Sequence, residues 1–339
     1  NRSDKEYAAH KQKQKELKES YLYLKTWIVT EELFKKHKGL DLVNFNNQHH
    51  PLSEIPQFKV LREETFDTFK KMIAAKFKIP VNQIRFWIFA TRQNKTIRPH
   101  ELIIDDYLEF TMENTKTIMG YDKLKLYMEI FEKPINSEKV FPQNNESSII
   151  VFIKYFDPDT QSLESIGQMY VKEEGMVDEI FPILREKKCL PPDTPLVVYE
   201  EIKPDRIDRM YPVFTFKQSE IINGDIICFQ KKLMAKEIHE HISAGRFHSI
   251  PQFYESLSNN IVVRFKSKFG YRDPVPEFSL VLNKNMAYEV VVNQVAAYLN
   301  VDPLKLRLSL YYIDIDKMKL SEMHQYSTNL YYEVLDFNS

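Results

Sequence analysis

Ile79-Pro80-Val81-Asn82-Gln83-Ile84-Arg85-Phe86 decides how this chain is read, because its plan occurs three times. Leu190-Pro191-Pro192-Asp193-Thr194-Pro195-Leu196-Val197 and Val301-Asp302-Pro303-Leu304-Lys305-Leu306-Arg307-Leu308 repeat it: an apolar residue, a proline within two positions, then a strand-like run. The spacing is 111 residues from Ile79 to Leu190 and again 111 from Leu190 to Val301. A period this long means repeated domains, since each copy is large enough to close its own core.

Working outward, each copy has two strands and then a helix before the repeated stretch, and a last strand after it. In the first these are Leu22–Val29, Gln57–Leu61, a helix from Glu63 to Phe77, Ile84–Phe89 and Leu124–Met128. Phe66, Phe69, Ile73 and Phe77 recur at one-faced helical spacing. The second reads Ser148–Phe156, Gln168–Val171, a helix from Met176 to Lys188, Leu196–Tyr199 and Ile226–Phe229. The third reads Ile261–Phe265, Phe278–Leu282, a helix over Tyr288–Leu299, Leu306–Tyr311 and Tyr331–Leu335. Strands covered by a single helix predict an α+β, two-layer unit.

Ahead of the repeats, Ser3 to about Tyr21 reads as one polar helix without Gly or Pro, with Ser3 and Glu6 at capping-box spacing. The expected organisation is a connector helix over 1–21 and domains over 22–133, 147–232 and 233–339, the last including a linker helix near Ala235–Ile238. A chain beginning inside a polar helical pattern is expected to be a segment of a longer protein.

Composition narrows the chemistry. Of 339 residues, 43% are hydrophobic, which suits folded cores. A net charge of -1 makes no electrostatic case for nucleic acid, and no apolar run approaches a membrane span. Two cysteines, Cys189 and Cys228, predict a reducing compartment and no disulfide framework. Cys228 lies in an apolar strand and reads as a buried thiol. Cys189 follows a helix beside Lys187 and Lys188, but nothing around it resembles a nucleophile's context. His239-Glu240-His241 lacks helical zinc spacing and reads as solvated surface, as does His49-His50. Seven glycines form no phosphate loop, so neither cofactor nor metal is expected.

The charge is uneven. From Ser147 to Gln230 there are fifteen Asp and Glu against nine Lys and Arg. Glu200 and Glu201 leave a strand together, and Glu220 and Asp225 flank the turn Ile221-Ile222-Asn223-Gly224 before the last strand of the second unit. Carboxylates so placed can receive Lys or Arg side chains of an extended peptide; the plainer alternative is a solvated turn.

Leu196-Val197-Val198-Tyr199-Glu200-Glu201-Ile202-Lys203-Pro204 and Asn223-Gly224-Asp225-Ile226-Ile227-Cys228-Phe229-Gln230 carry a resemblance. With Gln83–Trp87, Tyr155–Pro158, Val281–Met286 and Leu299–Pro303 in the same order, the chain resembles the C-terminal ubiquitin-like region of the herpesvirus-associated ubiquitin-specific protease family. The resemblance implies three tandem ubiquitin-like β-grasp domains behind a helix. It also implies a cysteine deubiquitinase whose catalytic domain lies outside this chain, nuclear localisation with a cytoplasmic fraction, and a monomeric fragment without catalytic residues. By resemblance, an acidic patch on the second domain captures Lys/Arg-rich segments of substrates and regulators. Glu220 and Asp225 match two acids of that patch, Ser219 and Asn223 stand where the family has aspartates, and Ile222 replaces a methionine. The expected docking residues are therefore Glu220, Asp225, Ser219, Ile222, Asn223, Glu200 and Glu201, with either weakened capture of basic peptides or a change in which peptide is preferred. A membrane-cytoskeleton adaptor with a ubiquitin-like lobe is the competing class, but it predicts one such unit followed by unrelated domains.

Overall fold

Apolar runs, alternating in strands such as Gln57–Leu61 and near-continuous in strands such as Ser148–Asp157, build three mixed sheets of five strands each. The structure, a computed structural model, describes residues 21–45, 53–118, 123–131, 147–203, 206–268, 275–310, 313–314, 320 and 329–335. The helix expected over residues 3–21, the linker over 133–146 and the His49-His50 pair lie essentially outside these.

The first module contains β1 (Tyr23–Thr30), β2 (Gln57–Leu61), β3 (Ile84–Thr91), β4 (Ile97–Leu102) and β5 (Leu124–Ile130), ordered β2-β1-β5-β3-β4. In the second, β6 (Ser148–Asp157), β7 (Ser162–Lys172), β8 (Leu196–Lys203), β9 (Arg206–Met210) and β10 (Asp225–Lys231) are ordered β7-β6-β10-β8-β9. The third has β11 (Asn260–Ser267), β12 (Glu277–Asn283), β13 (Leu306–Leu310), β14 (Ile313–Asp314) and β15 (Asn329–Val334), ordered β12-β11-β15-β13-β14. The same topology occurs three times. Each first strand pairs in parallel with the last, β1 with β5, β6 with β10 and β11 with β15. Such pairing needs a crossover, which the module's helix helps to supply.

The helices are α1 (Glu31–Lys36), α2 (Phe66–Phe77), α3 (Met112–Ile118), α4 (Phe181–Lys187), α5 (Ala235–Ser243), α6 (Ile250–Ser258) and α7 (Tyr288–Leu299). Helix α2 starts later than Glu63 because Thr65 caps it, its Oγ1 accepting from Thr68 N at 3.2 Å. It buries Phe66, Phe69 and Ile73 against Ile84, Phe86, Ile88, Leu124 and Leu126. The single helix expected from Met176 is a 3₁₀ turn, Val177–Ile180, followed by α4, with Pro182 in the first turn of α4. Strands β4, β9 and β14, and helices α1 and α3, were absent from the sequence reading. The stretch after Lys231 holds two helices where one was expected.

Two compact bodies emerge. One holds the first two modules, and the other holds the third sheet with α5, α6 and α7. In the second body α7 buries Val291, Val295 and Leu299 against Ile261, Phe265, Leu308 and Tyr332.

Inside the first body the sheets meet through the faces turned away from their helices. Trp87, Phe89 and Tyr127 of the first sheet and Phe152, Lys154, Phe156 and Cys228 of the second alternate with core residues, yet all are buried. The ring of Phe152 stands edge-on to Tyr127 at 5.0 Å and to Phe34 of α1 at 5.4 Å. Glu129 of the first module accepts from Arg85 Nε (2.8 Å) and Trp87 Nε1 (2.9 Å) of its own sheet. It also accepts from Tyr170 Oη (2.7 Å) and Gln168 Nε2 (3.1 Å) across the contact. A buried carboxylate with this many donors is satisfied.

Candidate partner-docking site

The turn entering β10 is fixed on three sides. Gly224 takes φ +86, a conformation that favours glycine, and its N–H donates to Ile150 O at 2.9 Å. Ile150 N donates to Asn223 Oδ1 at 3.0 Å, tying the turn to β6. Ile222 N donates to Asp225 Oδ2 at 2.8 Å, closing the loop on itself. Glu220, also left-handed at φ 57, is exposed, as is Ile222. Ser219 is half-buried.

The third side comes from the other module. Arg92, just past β3, forms an ion pair with Asp225 Oδ1, and its Nη2 donates to Asn223 O at 2.7 Å. Asn94 Nδ2 donates to Ile202 O at 3.0 Å nearby. A guanidinium fork thus grips a carboxylate and a carbonyl of the turn together.

Deeper in the same contact, Glu201 sits among cations. Lys154 Nζ donates to Glu201 Oε2 at 2.7 Å and to Gly39 O at 2.8 Å. Arg98 Nη2 lies 3.3 Å from Glu201 Oε1 and 3.0 Å from Asp41 Oδ1. Asp41 N donates to Glu201 Oε1 at 2.6 Å. Burial raises the Asp41 carboxyl above its ordinary value, against the pull of Arg98. Burial also pushes Glu200 up to about 8, reinforced by Asp225 and opposed by Arg98 and Arg92.

Of the carboxylates singled out in the sequence, Glu220 alone is well exposed. Glu200 is half-buried, while Glu201 and Asp225 are buried and paired within the chain. The physical reason is desolvation: charge removed from water must be paired, and Arg92, Arg98 and Lys154 do the pairing. These three and Asp41 were missed in the sequence. Lys154 carried a signal, as the one charge inside the apolar run Ile149–Phe156.

Cys189 is exposed and left-handed just beyond α4, and Cys228 is buried, as its strand setting suggested. His241 is buried, correcting the reading of that pair as solvated surface; His239 is exposed. Among the described residues no cluster of His, Cys, Asp and Glu is arranged to hold a metal ion, and no helix is long and apolar enough to cross a membrane.

Residues 84–330 match the family model described as the ICP0-binding domain of Ubiquitin-specific protease 7. The chain belongs to this family. The resemblance read from Leu196–Pro204 and Asn223–Gln230 therefore holds. Among curated relatives, Ubiquitin carboxyl-terminal hydrolase 5 of Schizosaccharomyces pombe is 32% identical over 300 residues, covering 88% of this chain and 27% of that protein. Ubiquitin C-terminal hydrolase 12 of Arabidopsis thaliana is 30% identical over 360 residues, covering 99% of this chain and 31% of that protein. The chain thus spans under a third of the length of these relatives. Among solved structures, the C-terminal ubiquitin-like domain of mouse tubulin-specific chaperone e aligns at 12% identity and TM-score 0.23, covering 28% of this chain and 98% of that one.

Proposed function

We propose that this chain is a non-catalytic, partner-recruiting region of a ubiquitin-specific protease, made of three ubiquitin-like β-grasp modules. The thiol chemistry that cleaves ubiquitin from its C-terminal linkage belongs, on this reading, to residues outside the chain, and the whole enzyme acts mainly in the nucleus. The second module docks Lys/Arg-rich segments of partner proteins at the turn from Ser219 to Asp225. The thrice-repeated strand order and the family membership support the modular part of the reading.

One observation supports the docking part. The turn already holds a guanidinium, that of Arg92, between the Asp225 carboxylate and the Asn223 carbonyl, and leaves Glu220 exposed beside it. A basic segment would lie along Glu220 and Ile222, with Asn223 fixed beneath it and Glu200 adding charge only as it ionises. Few available carboxylates make this a weak, salt-sensitive contact. The test is fluorescence anisotropy with a labelled Lys/Arg-rich peptide at low and physiological salt. Glu220→Lys is expected to weaken binding about tenfold or more at low salt; unchanged affinity overturns the docking reading.

A further inference from the structure

In both modules of the first body, the segment leading into the helix runs antiparallel to a segment after the fourth strand. In the first module Glu113 N donates to Arg62 O (3.0 Å), Met112 N to Glu64 O (2.8 Å), Phe66 N to Phe110 O (2.9 Å) and Asp67 N to Leu108 O (2.9 Å). In the second, Lys217 N donates to Glu173 O (2.9 Å), Phe216 N to Gly175 O (3.0 Å), Val177 N to Phe214 O (2.9 Å) and Asp178 N to Pro212 O (3.1 Å). The bridges Thr65↔Thr111 and Met176↔Thr215 set a common register. Thr65 therefore corresponds to Met176, Glu109 to Val213, and the ring pair Tyr107–Phe110 to Tyr211–Phe214. Both ring pairs have centroids 5.4 Å apart.

The aromatic pair is thus common architecture, but its surroundings differ. Where the first module has the polar Thr65 and Glu109, the second has Met176 and Val213. Thr65 caps its helix through Oγ1; the Met176 thioether is a much weaker acceptor than a hydroxyl, and Glu179 reaches back to Met176 N at 3.1 Å. Met176 is 47% exposed, Tyr211 52%, Val213 69% and Phe214 43%, whereas Tyr107 and Phe110 are half-buried. Single exposed apolar side chains are ordinary; four on two bonded segments, two of them (Met176 and Val213) at positions that the first module fills with polar residues, form a patch with a use.

The rim indicates what fits. Glu173, Glu174, Asp178 and Glu179 flank Met176 in the chain, and Glu220 follows along the second segment, where Ser219 N donates to Thr215 O and Ile221 N to Phe216 O, each at 3.0 Å. Against these carboxylates stand Lys172, Arg209 and Lys217. Lys217 already pairs with Glu174 at 2.7 Å, and the Arg209 guanidinium lies 6.0 Å from the Tyr211 ring centre.

We infer, resting on the docking reading above, that Met176, Tyr211, Val213 and Phe214 receive a large aliphatic or aromatic side chain of the partner segment whose lysines and arginines meet the acidic rim. The partner is a basic peptide with an apolar anchor, and the apolar contact compensates for the sparse carboxylates at the turn.

Two labelled lysine-rich peptides, identical but for a central Leu or Ser, are titrated against the whole chain, Met176→Thr/Val213→Thr, and Glu220→Lys. The Leu peptide is expected to bind wild type about tenfold more tightly than the Ser peptide. The double variant is expected to close that gap and leave the Ser peptide unchanged. Should the double variant melt early, Val213→Ser alone replaces it, at a side chain mostly in water. No gap on wild type, or a gap that persists in the variant, overturns the inference. Weakening of both peptides by Glu220→Lys would then show that the docking reading survives it. Failure of both peptides to bind wild type removes both. Sedimentation showing a dimer that the double variant abolishes assigns the patch to a second copy, and also overturns the inference.

Discussion

Arg98 Nη2 of the first module lies 3.3 Å from Glu201 Oε1 of the second, with the side chains 1% and 0% exposed. Lys154, equally buried, approaches the other carboxylate oxygen. Pairs like this add little net stability over an apolar contact, yet removing one member is severe, because the other charge stays buried. Glu201→Ala leaves both Arg98 and Lys154 without this carboxylate. It is expected to lose roughly 3–5 kcal/mol of unfolding free energy in urea; a loss within experimental error would contradict the buried cluster.

Stability should fall as pH rises through the neutral range. Glu200 titrates near 8 in the folded chain against an ordinary value of 4.5. Between those values the folded state holds a proton that the unfolded state has released, so the slope of stability against pH is negative. The contribution is complete below about 4.5 and gone above about 8, on the order of a few kcal/mol; Asp41, raised likewise by burial, acts in the same direction. Glu200→Gln, which mimics the protonated side chain, should flatten this part of the Tm–pH curve.

On the docking reading, Arg92, which pairs with Asp225, would compete internally with a basic ligand for that carboxylate. Arg92→Ala should lower Tm by leaving the Asp225 carboxylate short of its cation, a loss of roughly 3 kcal/mol. It should also let a Lys/Arg-rich peptide raise Tm more in the variant than in wild type, by mass action. Equal peptide-induced shifts in both proteins would mean that Asp225 is closed to ligands whether or not Arg92 is present.

Gly224 tests the close approach of the modules. Its φ is +86, and an added Cβ would overlap the Pro99 carbonyl of the first module. Gly224→Ala is expected to destabilise by at least about 2 kcal/mol, strain and overlap combined. Chemical denaturation would measure it.

The repeat made much of this fold legible. Gln57–Leu61 shows its strand through alternation and Ser148–Asp157 through a continuous apolar run, and α7 occupies the stretch Tyr288–Leu299 that its spacing predicted. Strand β4 was not legible because Ile97-Arg98-Pro99-His100-Glu101-Leu102 has no clean alternation and carries a proline that only an edge strand tolerates. Helix α1 is too short for periodicity to reveal. For the site, the turn's position was readable from Asn223-Gly224, but the burial of Asp225 was not. That burial comes from Arg92, 133 residues away, and nothing near Asp225 announces it.

The face-to-face contact of the first two sheets has a directional consequence. A segment held on a flexible tether samples a volume, and its local concentration depends on tether length. Here the turn from Ser219 to Asp225 is held through Arg92, and its module through Glu201 and Phe152, to the neighbouring module, so a segment docked there, as proposed, would leave along one heading set by both sheets. On the docking reading proposed above, the pair of modules would aim its cargo, and loosening the contact would broaden that aim before it weakened the grip.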